Sequence, residues 1–417
     1  MRILVATDQP FWLRRGGAHE RIASLLLGLE NLGSWEIGIY YLGDRRHLEQ
    51  LRDTEFGSRV VTSPLPGQSL WHRCLSWLKN RSGPNGHLAV EGGDHSPGTK
   101  ALRLEDYRWP WVIPKFQKFV QRWQPDVILM EYITMTYLKC SANGLRSVWV
   151  VDTHDVLSQR CRLFQQQGQT HWLDINESEE VAAMSVADLL IAIQADEADW
   201  MRERLPDTSV IVCGHYGGVS PEERSQAVRA GDNKELRFGL LGSDNYPNQT
   251  GLRFLQNEVW PAIGGTVGQS AQIWLAGQLA HNCAVSSDWQ LVGPVEHLRQ
   301  FYRQVDVVLN PINVGTGLKI KSAEALAWGK PLLAFPHGVS GLDGIDTADA
   351  NSCFQAGIVV CRSAEQWRKE MQRLATDTKW RMQLQQQAQH WAESHFSIAN
   401  TYGPLNQTLQ RMVELNR

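Results

Sequence analysis

Short apolar runs alternate with amphipathic stretches along almost the whole chain, and this restricts it to a parallel α/β architecture. The pattern predicts strands at Ile3–Ala6, Glu36–Leu42, Arg59–Thr62, Asp126–Met130, Ser147–Val151, Leu189–Ile193 and Ser209–Val212. Strands recur at Arg237–Leu241, Gln272–Ala276, Asp306–Asn310, Leu332–Phe335 and Ile358–Val360. After the first strand, a helix over Ala18–Leu29 turns Ile22, Leu25, Leu26 and Leu29 inward. A chain of 417 residues exceeds one ordinary domain. The segment Cys213-Gly-His-Tyr-Gly-Gly-Val-Ser-Pro221, with the charged stretch to Glu235, reads as the linker. Two doubly wound domains, 1–213 and 236–395 about a linker at 214–235, are expected to face across a cleft, with ligands at the carboxyl ends of the strands.

Within the second half, Gly315-Thr-Gly-Leu-Lys-Ile-Lys-Ser-Ala-Glu-Ala-Leu-Ala-Trp-Gly-Lys-Pro331 reads as a glycine loop, a short helix and a stop. Leu318, Ile320, Ala323 and Ala327 form an apolar face, and Gly329 and Pro331 end the helix. Lys319 and Lys321 fall in the first turn, where the helix dipole favours negative charge. Two cations there fit a bound anion. A loop without side chains, helix N–H groups and a lysine together form a phosphate cradle. Glu324, about one turn on, is then a carboxylate near a phosphate and an acceptor for sugar hydroxyls.

Composition excludes several classes. A net charge of −3 and a pI near 6.5 do not suit a general nucleic-acid binder. The seven cysteines are scattered, with no C-x-x-C pair, which reads as reduced cytosolic thiols. The N-terminus enters a strand at once and lacks the apolar stretch of a signal peptide. No apolar run approaches the roughly 20 residues that span a bilayer. Residues 64–110 break the rhythm, with Trp71, Trp77, Trp109 and Trp111 among Gly, Pro, His and Arg. Ser69–Lys79 is weakly amphipathic and is a candidate membrane-surface contact; an ordinary surface loop or packed helix is the competing reading.

Four segments of the second half resemble the donor domain of the retaining, nucleotide-sugar-dependent glycosyltransferases of family 4, which have the GT-B fold. Phe238-Gly-Leu-Leu-Gly-Ser-Asp-Asn-Tyr-Pro-Asn248, with Phe254 and Trp260-Pro261, resembles the first strand-loop-helix; Ile273-Trp-Leu-Ala-Gly277 resembles the second strand. Val292-Gly-Pro-Val295 with Tyr302 and Asp306–Pro311 resembles the nucleobase-side turn and next strand. The glycine loop and helix, continuing to His337–Leu342, resemble the signature helix. In the first half Gly16-Gly17, Pro125-Asp-Val, Val151–Asp155 and Ala187–Gln194 follow the family's order more loosely.

The resemblance implies roles. Glu324 matches the second glutamate of the family's E-x7-E motif and would bind the ribose. The first glutamate falls at Thr316, a change shared with a G-T-G-x-K branch; its hydroxyl and the N–H groups of Gly317 and Leu318 would hold a sugar hydroxyl or phosphate. Lys319, with Gly315, would stabilise charge on the departing diphosphate. The loop beginning at Ser243 lacks the Arg and Lys that many relatives carry there, which puts more of that charge on Lys319. Val295 would lie by the base. His154, at a strand's carboxyl end beside Asp155, would contact the donor sugar, and Gly16 and Gly17 would let backbone approach the ligand. Arg14, Arg15, His19, Glu20, Arg160 and Arg162 are second-rank candidates on the acceptor or diphosphate side.

No metal-ligand motif occurs, so no cofactor or metal is expected beyond the nucleotide sugar as co-substrate. Expected partners are a nucleotide-diphosphate sugar and a saccharide or lipid-linked acceptor, without nucleic acid. The expected location is the cytoplasm, with contact at the inner face of the membrane as a further candidate; oligomeric state is open. The last helix, 396–417, is expected to pack back on the first domain, as in this fold. Two alternatives stand beside transfer. One is a non-hydrolysing nucleotide-sugar epimerase of the same fold; the other is a nucleotide-sugar-binding protein that lost catalysis with the carboxylate at Thr316.

Overall fold

The computed structural model describes residues 1–14, 16–33, 35–62, 101–141, 146–227, 235–267, 270–280, 289–295 and 298–417. The chain divides into two compact units. One comprises Met1–Ala192, Ala198–Val212 and Leu405–Arg417; the other comprises Ile193–Glu197 and Cys213–Pro404.

The first unit is built on β1 (Arg2–Thr7), β2 (Glu36–Tyr41), β3 (Val60–Thr62), β5 (Val127–Glu131), β6 (Val148–Asp152), β8 (Leu189–Ala192) and β9 (Ser209–Val212). They form a seven-stranded parallel sheet in the order β3-β2-β1-β5-β6-β8-β9. Short strands β4 (Leu102–Arg103) and β7 (Leu173–Asp174) pair separately. The central strands are apolar in sequence because helices cover both faces: β5, β6 and β8 are buried at every residue. The helix Gly17–Leu32 buries Ile22, Leu25, Leu26 and Leu29 completely, as the spacing predicts. It also buries Arg21 completely, which the spacing does not predict. β1 continues to β2 on one side and neighbours β5 on the other, so the sheet's switch point lies at the carboxyl end of β1.

The second unit contains β10 (Leu236–Leu241), β11 (Ala271–Ala276), β12 (Trp289–Gly293), β13 (Val307–Asn310), β14 (Leu332–Ala334) and β15 (Ile358–Val360). Its six-stranded parallel sheet runs β12-β11-β10-β13-β14-β15, with the switch point between β10 and β13. β12 escapes the sequence pattern because it is an edge strand, mostly exposed after Trp289. Phe335 leaves β14 because Pro336 opens a 3-10 turn over Pro336–Val339.

The helix after the glycine loop spans Ile320–Ala327, and Lys319 is its N-cap rather than a first-turn residue. It ends as predicted: Gly329 adopts φ 63°, its N–H donates to Leu326 O at 2.7 Å, and the Lys330 N–H donates to Ala325 O at 2.9 Å. It is buried on nearly every side, from Ser322 to Ala327, instead of along one stripe. Residues 214–227, in the stretch 214–235 read as a linker, supply the extra cover. Gly217 (φ 76°) lies so close that a Cβ there would meet the Ala327 Cβ at 2.7 Å, and Arg224 Nε donates to Ala327 O at 2.8 Å.

The final helix, Ile398–Asn416, contributes its residues from Leu405 onward to the first unit. There Trp35 Nε1 donates to Asn406 Oδ1 at 2.6 Å, and Arg417 Nη2 donates to Asp126 Oδ1 at 2.9 Å. Most of the irregular stretch 64–110, including Trp71, Trp77 and the candidate membrane segment Ser69–Lys79, lies outside the described residues, as does Arg15.

Candidate functional site

In the second unit, chemistry gathers at the carboxyl ends of β10 and β13, on either side of the switch point. Two glycines shape the loop after β13: Gly315 has φ 109° and Gly317 φ 71°, values that glycine adopts without strain. A Cβ at Gly315 would meet nothing nearer than Pro247 at 4.0 Å, so the φ and not crowding selects glycine. Lys319 is buried; its Nζ donates to Thr316 O at 3.0 Å and Gly317 O at 2.8 Å, fastening the loop beneath the helix start. Thr316 and Leu318 are half-buried. Lys321 reaches across to Asn248 Oδ1. Packing out of water, and then the nearby Lys319 charge, hold its ammonium down to about 8, against the opposing pull of Glu324.

Asn248 in turn donates to Ser243 O at 2.9 Å, and its backbone N–H donates to Asn245 Oδ1 at 3.1 Å, capping the helix Tyr246–Phe254. The loop from Ser243 is thereby tied to the signature helix through Asn248 and Lys321. His337 completes this end. Burial, together with the Lys319 charge, pushes its imidazole down to about 4, partly opposed by hydrogen bonding with the Val314 and Gly315 backbone. It is therefore neutral at pH 7. Below it, Asn310 Nδ2 donates to Ser322 Oγ (2.7 Å) and Gly338 O (2.8 Å), locking strand, helix and turn together.

Glu324 is buried one turn into the helix. Tyr302 Oη donates to its Oε2 at 3.2 Å, and His215 Nε2 lies 3.8 Å from its Oε1. Val295 is half-buried against the same apolar cluster as Tyr302. The result is a carboxylate, two lysines and a glycine loop on one helix N-terminus, an arrangement suited to an anion joined to a diol.

The first unit assembles a second group at the ends of β5 and β6. His154 has φ 61°, unusual for a residue with a side chain. The turn brings its ring over Tyr132, with centroids 4.0 Å apart and planes at 10°, and its Nε2 to 2.7 Å from Glu131 Oε2. Asp152 Oδ2 is 3.9 Å from the same nitrogen. Arg21 grips Asp152 through two bonds, Nε to Oδ2 at 2.9 Å and Nη2 to Oδ1 at 2.8 Å. Arg21, Asp152 and Glu131 are fully buried. Desolvation raises the Glu131 carboxyl, and the His154 hydrogen bond opposes it. Glu131, Asp152 and His154 bring potential ligand atoms within 4.8 Å of one another. The guanidinium on both Asp152 oxygens already supplies the countercharge that a cation would bring, so the group does not fit a metal ion.

Beside this group, Glu180 accepts the N–H groups of Leu157 (2.7 Å) and Ser158 (2.8 Å), capping the helix Leu157–Gln166 from a distance. Burial pushes its carboxyl up to about 7. Gly16 is the extended N-cap of the helix beginning at Gly17, and no atom would lie within 4 Å of a Cβ there. Arg14 pairs with Glu20 and Glu55 and Arg160 with Asp155, which makes them structural ion pairs in this state.

Residues 235–377 match the family described as glycosyl transferases group 1. No curated protein matches the chain by sequence. Three solved structures share its architecture end to end. The E. coli trehalose-6-phosphate protein bound with UDP-2-fluoro glucose is 12% identical, with a TM-score of 0.62 and 99% of each chain covered. Anabaena Alr3699/HepE in complex with UDP and glucose is 14% identical, with a TM-score of 0.60, 98% of this chain and 99% of that chain. The Neisseria meningitidis UDP-GlcNAc 2-epimerase bound to UDP-GlcNAc is 13% identical, with a TM-score of 0.55, 99% of this chain and 100% of that chain.

The chain has the GT-B fold. The group 1 match lies wholly within its second unit.

On this GT-B framework the structure brings Ser243, Gly315, Thr316, Gly317, Leu318, Lys319 and Glu324 into one region of the second unit. Gly16, Gly17 and His154 lie in the first unit. Sequence reasoning missed Lys321 as a polar partner of Asn248, His337, His215 and, in the first unit, Arg21 and Glu131. Arg21 carried a usable signal: a lone arginine on the apolar face of a predicted helix asks for a buried partner. Glu131 carried none, because one acid at the end of an apolar strand looks like an ordinary exit to solvent.

Proposed function

We propose that the protein is a glycosyltransferase that moves a sugar from a nucleotide-diphosphate donor to an acceptor with retention at the anomeric carbon. The observation that carries this is the second unit's helix Ile320–Ala327. It joins buried Glu324 to a left-handed glycine loop and two lysines, within the segment that matches the group 1 family. Glu324 holds the ribose; Lys319, Gly315, Thr316, Gly317 and Leu318 hold the diphosphate and the sugar nearest it; Lys321 adds a second cation. Ser243 borders the phosphates and Val295 the base. In the first unit, His154 is the proposed donor-sugar ligand and Gly16-Gly17 the proposed backbone approach. Charge built on the leaving phosphate is met by lysine and helix N–H groups, which reproduces what a divalent cation does in other transferases.

Neighbours bound to UDP or a UDP sugar support a nucleotide-sugar donor. A saccharide or lipid-linked acceptor of the cell envelope, met in the cytoplasm at the inner membrane face, rests on analogy. Among the described residues no helix is long and apolar enough to cross a membrane.

One observation favours a second reading. The buried Glu131–Asp152–His154 group supplies the carboxylates that an epimerase needs for elimination and re-addition, and an epimerase shares the fold. A thermal-shift panel of sugar nucleotides, followed by product analysis of the tightest with and without saccharide acceptors, separates the two. Transfer predicts product only with acceptor. A rearranged sugar nucleotide from donor alone refutes it, and binding without either product establishes a non-catalytic binder.

A further inference from the structure

The Glu131 carboxyl is fully buried, and its Oε1 makes no hydrogen bond among the described residues. Its one hydrogen bond runs between Oε2 and His154 Nε2, at 2.7 Å. A buried acid with a single partner calls for a reason. Asp152 does not compete for the ring, because both its oxygens are engaged by Arg21 and its nearer oxygen is 3.9 Å from Nε2. The surrounding contacts hold the ring in this orientation. Tyr132 stacks on one face at 4.0 Å, and Thr153 just before it is pinned by N–H and Oγ1 bonds to Ile191 O at 3.2 and 2.9 Å. His154 Nδ1, in contrast, makes no hydrogen bond among the described residues. Which imidazole nitrogen carries the proton is set by the bond the other nitrogen makes.

We propose that Glu131 is a positioning residue that fixes the Nε2–H tautomer of His154 and leaves Nδ1 as a hydrogen-bond acceptor for a sugar hydroxyl. This rests on the reading of His154 as a donor-sugar ligand. The Glu131 carboxylate accepts from Nε2–H; that bond and the nearby Arg21 charge favour its ionised form, against burial and the Asp152 charge.

The test is nitrogen-15 NMR of the full chain labelled at histidine, with His154 assigned by its loss in His154→Asn and the ring neutral. Wild type is expected to show protonated Nε2 and bare Nδ1. Glu131→Gln, whose amide oxygen still accepts, keeps that pattern; Glu131→Leu loses it and shows mixed tautomers. Protonated Nδ1 in wild type, or an unchanged pattern in Glu131→Leu, overturns the proposal. With UDP-glucose as probe, Glu131→Leu is expected to lower kcat/KM at least tenfold with UDP affinity unchanged, and Glu131→Gln to recover most of that loss. Equal losses in Gln and Leu also overturn it. If wild type leaves UDP-glucose untouched, the functional reading fails for that donor while the tautomer measurement still decides the role of Glu131.

Discussion

Arg21→Met is the most informative perturbation of the first unit. Arg21 and Asp152 are both fully buried and joined by two bonds of 2.8–2.9 Å. Methionine fills similar volume but removes the charge, leaving the Asp152 carboxylate without its countercharge beside Glu131. The loss of one partner of a buried pair costs about 3–5 kcal/mol. Replacing both partners by neutral groups costs far less, because no orphaned charge remains. Arg21→Met is therefore expected to destabilise the unit by about 3–5 kcal/mol, and Arg21→Met/Asp152→Asn to recover at least half of that. The assay is urea unfolding followed by far-UV circular dichroism, reading ΔΔG from the midpoint at fixed m-value. Because the chain has two units, the transition of the first unit is assigned by a probe at Trp149, within β6. A loss under about 1 kcal/mol for Arg21→Met, or a double variant no more stable than the single, refutes the idea that Arg21 is present to balance buried charge.

Further outcomes follow from the second unit and from Glu180. Glu324→Ala should weaken UDP binding by about 10- to 150-fold in calorimetry, the worth of a charged hydrogen-bonding group; an unchanged Kd removes it from the ribose site. Lys321 is held down to about 8, so the cation is lost as pH rises through that value. UDP affinity should then fall between pH 7 and 9, and Lys321→Arg should flatten the fall. Glu180 has its folded carboxyl raised from 4.5 to about 7. Its contribution to stability is full below about 4.5 and is lost as pH rises through about 7, amounting to up to about 3 kcal/mol. In Glu180→Gln the decline in stability between pH 5 and 8 should be smaller than in wild type; parallel profiles would refute the assignment.

Fold class was legible in the sequence because parallel strands buried on both faces must be short continuous apolar runs, and these punctuate the chain from Ile3 to Val360. The loop and helix proposed to cradle a phosphate were legible as a local unit: Gly315, Gly317, Lys319 and Glu324 lie within ten residues, so their spacing alone sets their neighbourhood. Edge strand β12 was not, since Gln290 breaks its apolar run and Leu291 and Val292 stand exposed at the sheet edge. Nor was the burial of the signature helix on all sides, which comes from the distant segment that packs Gly217 and Arg224 onto Ala327. Tertiary structure alone decided the surroundings of His154. Glu131, Asp152 and Arg21 reach it from two other strand positions and a helix more than a hundred residues upstream. No local period records such a meeting, because register between parallel strands is set by the packing of whole layers and not by any neighbour in sequence. Residue type and spacing named the candidate groups; the tertiary structure determined which of them touch.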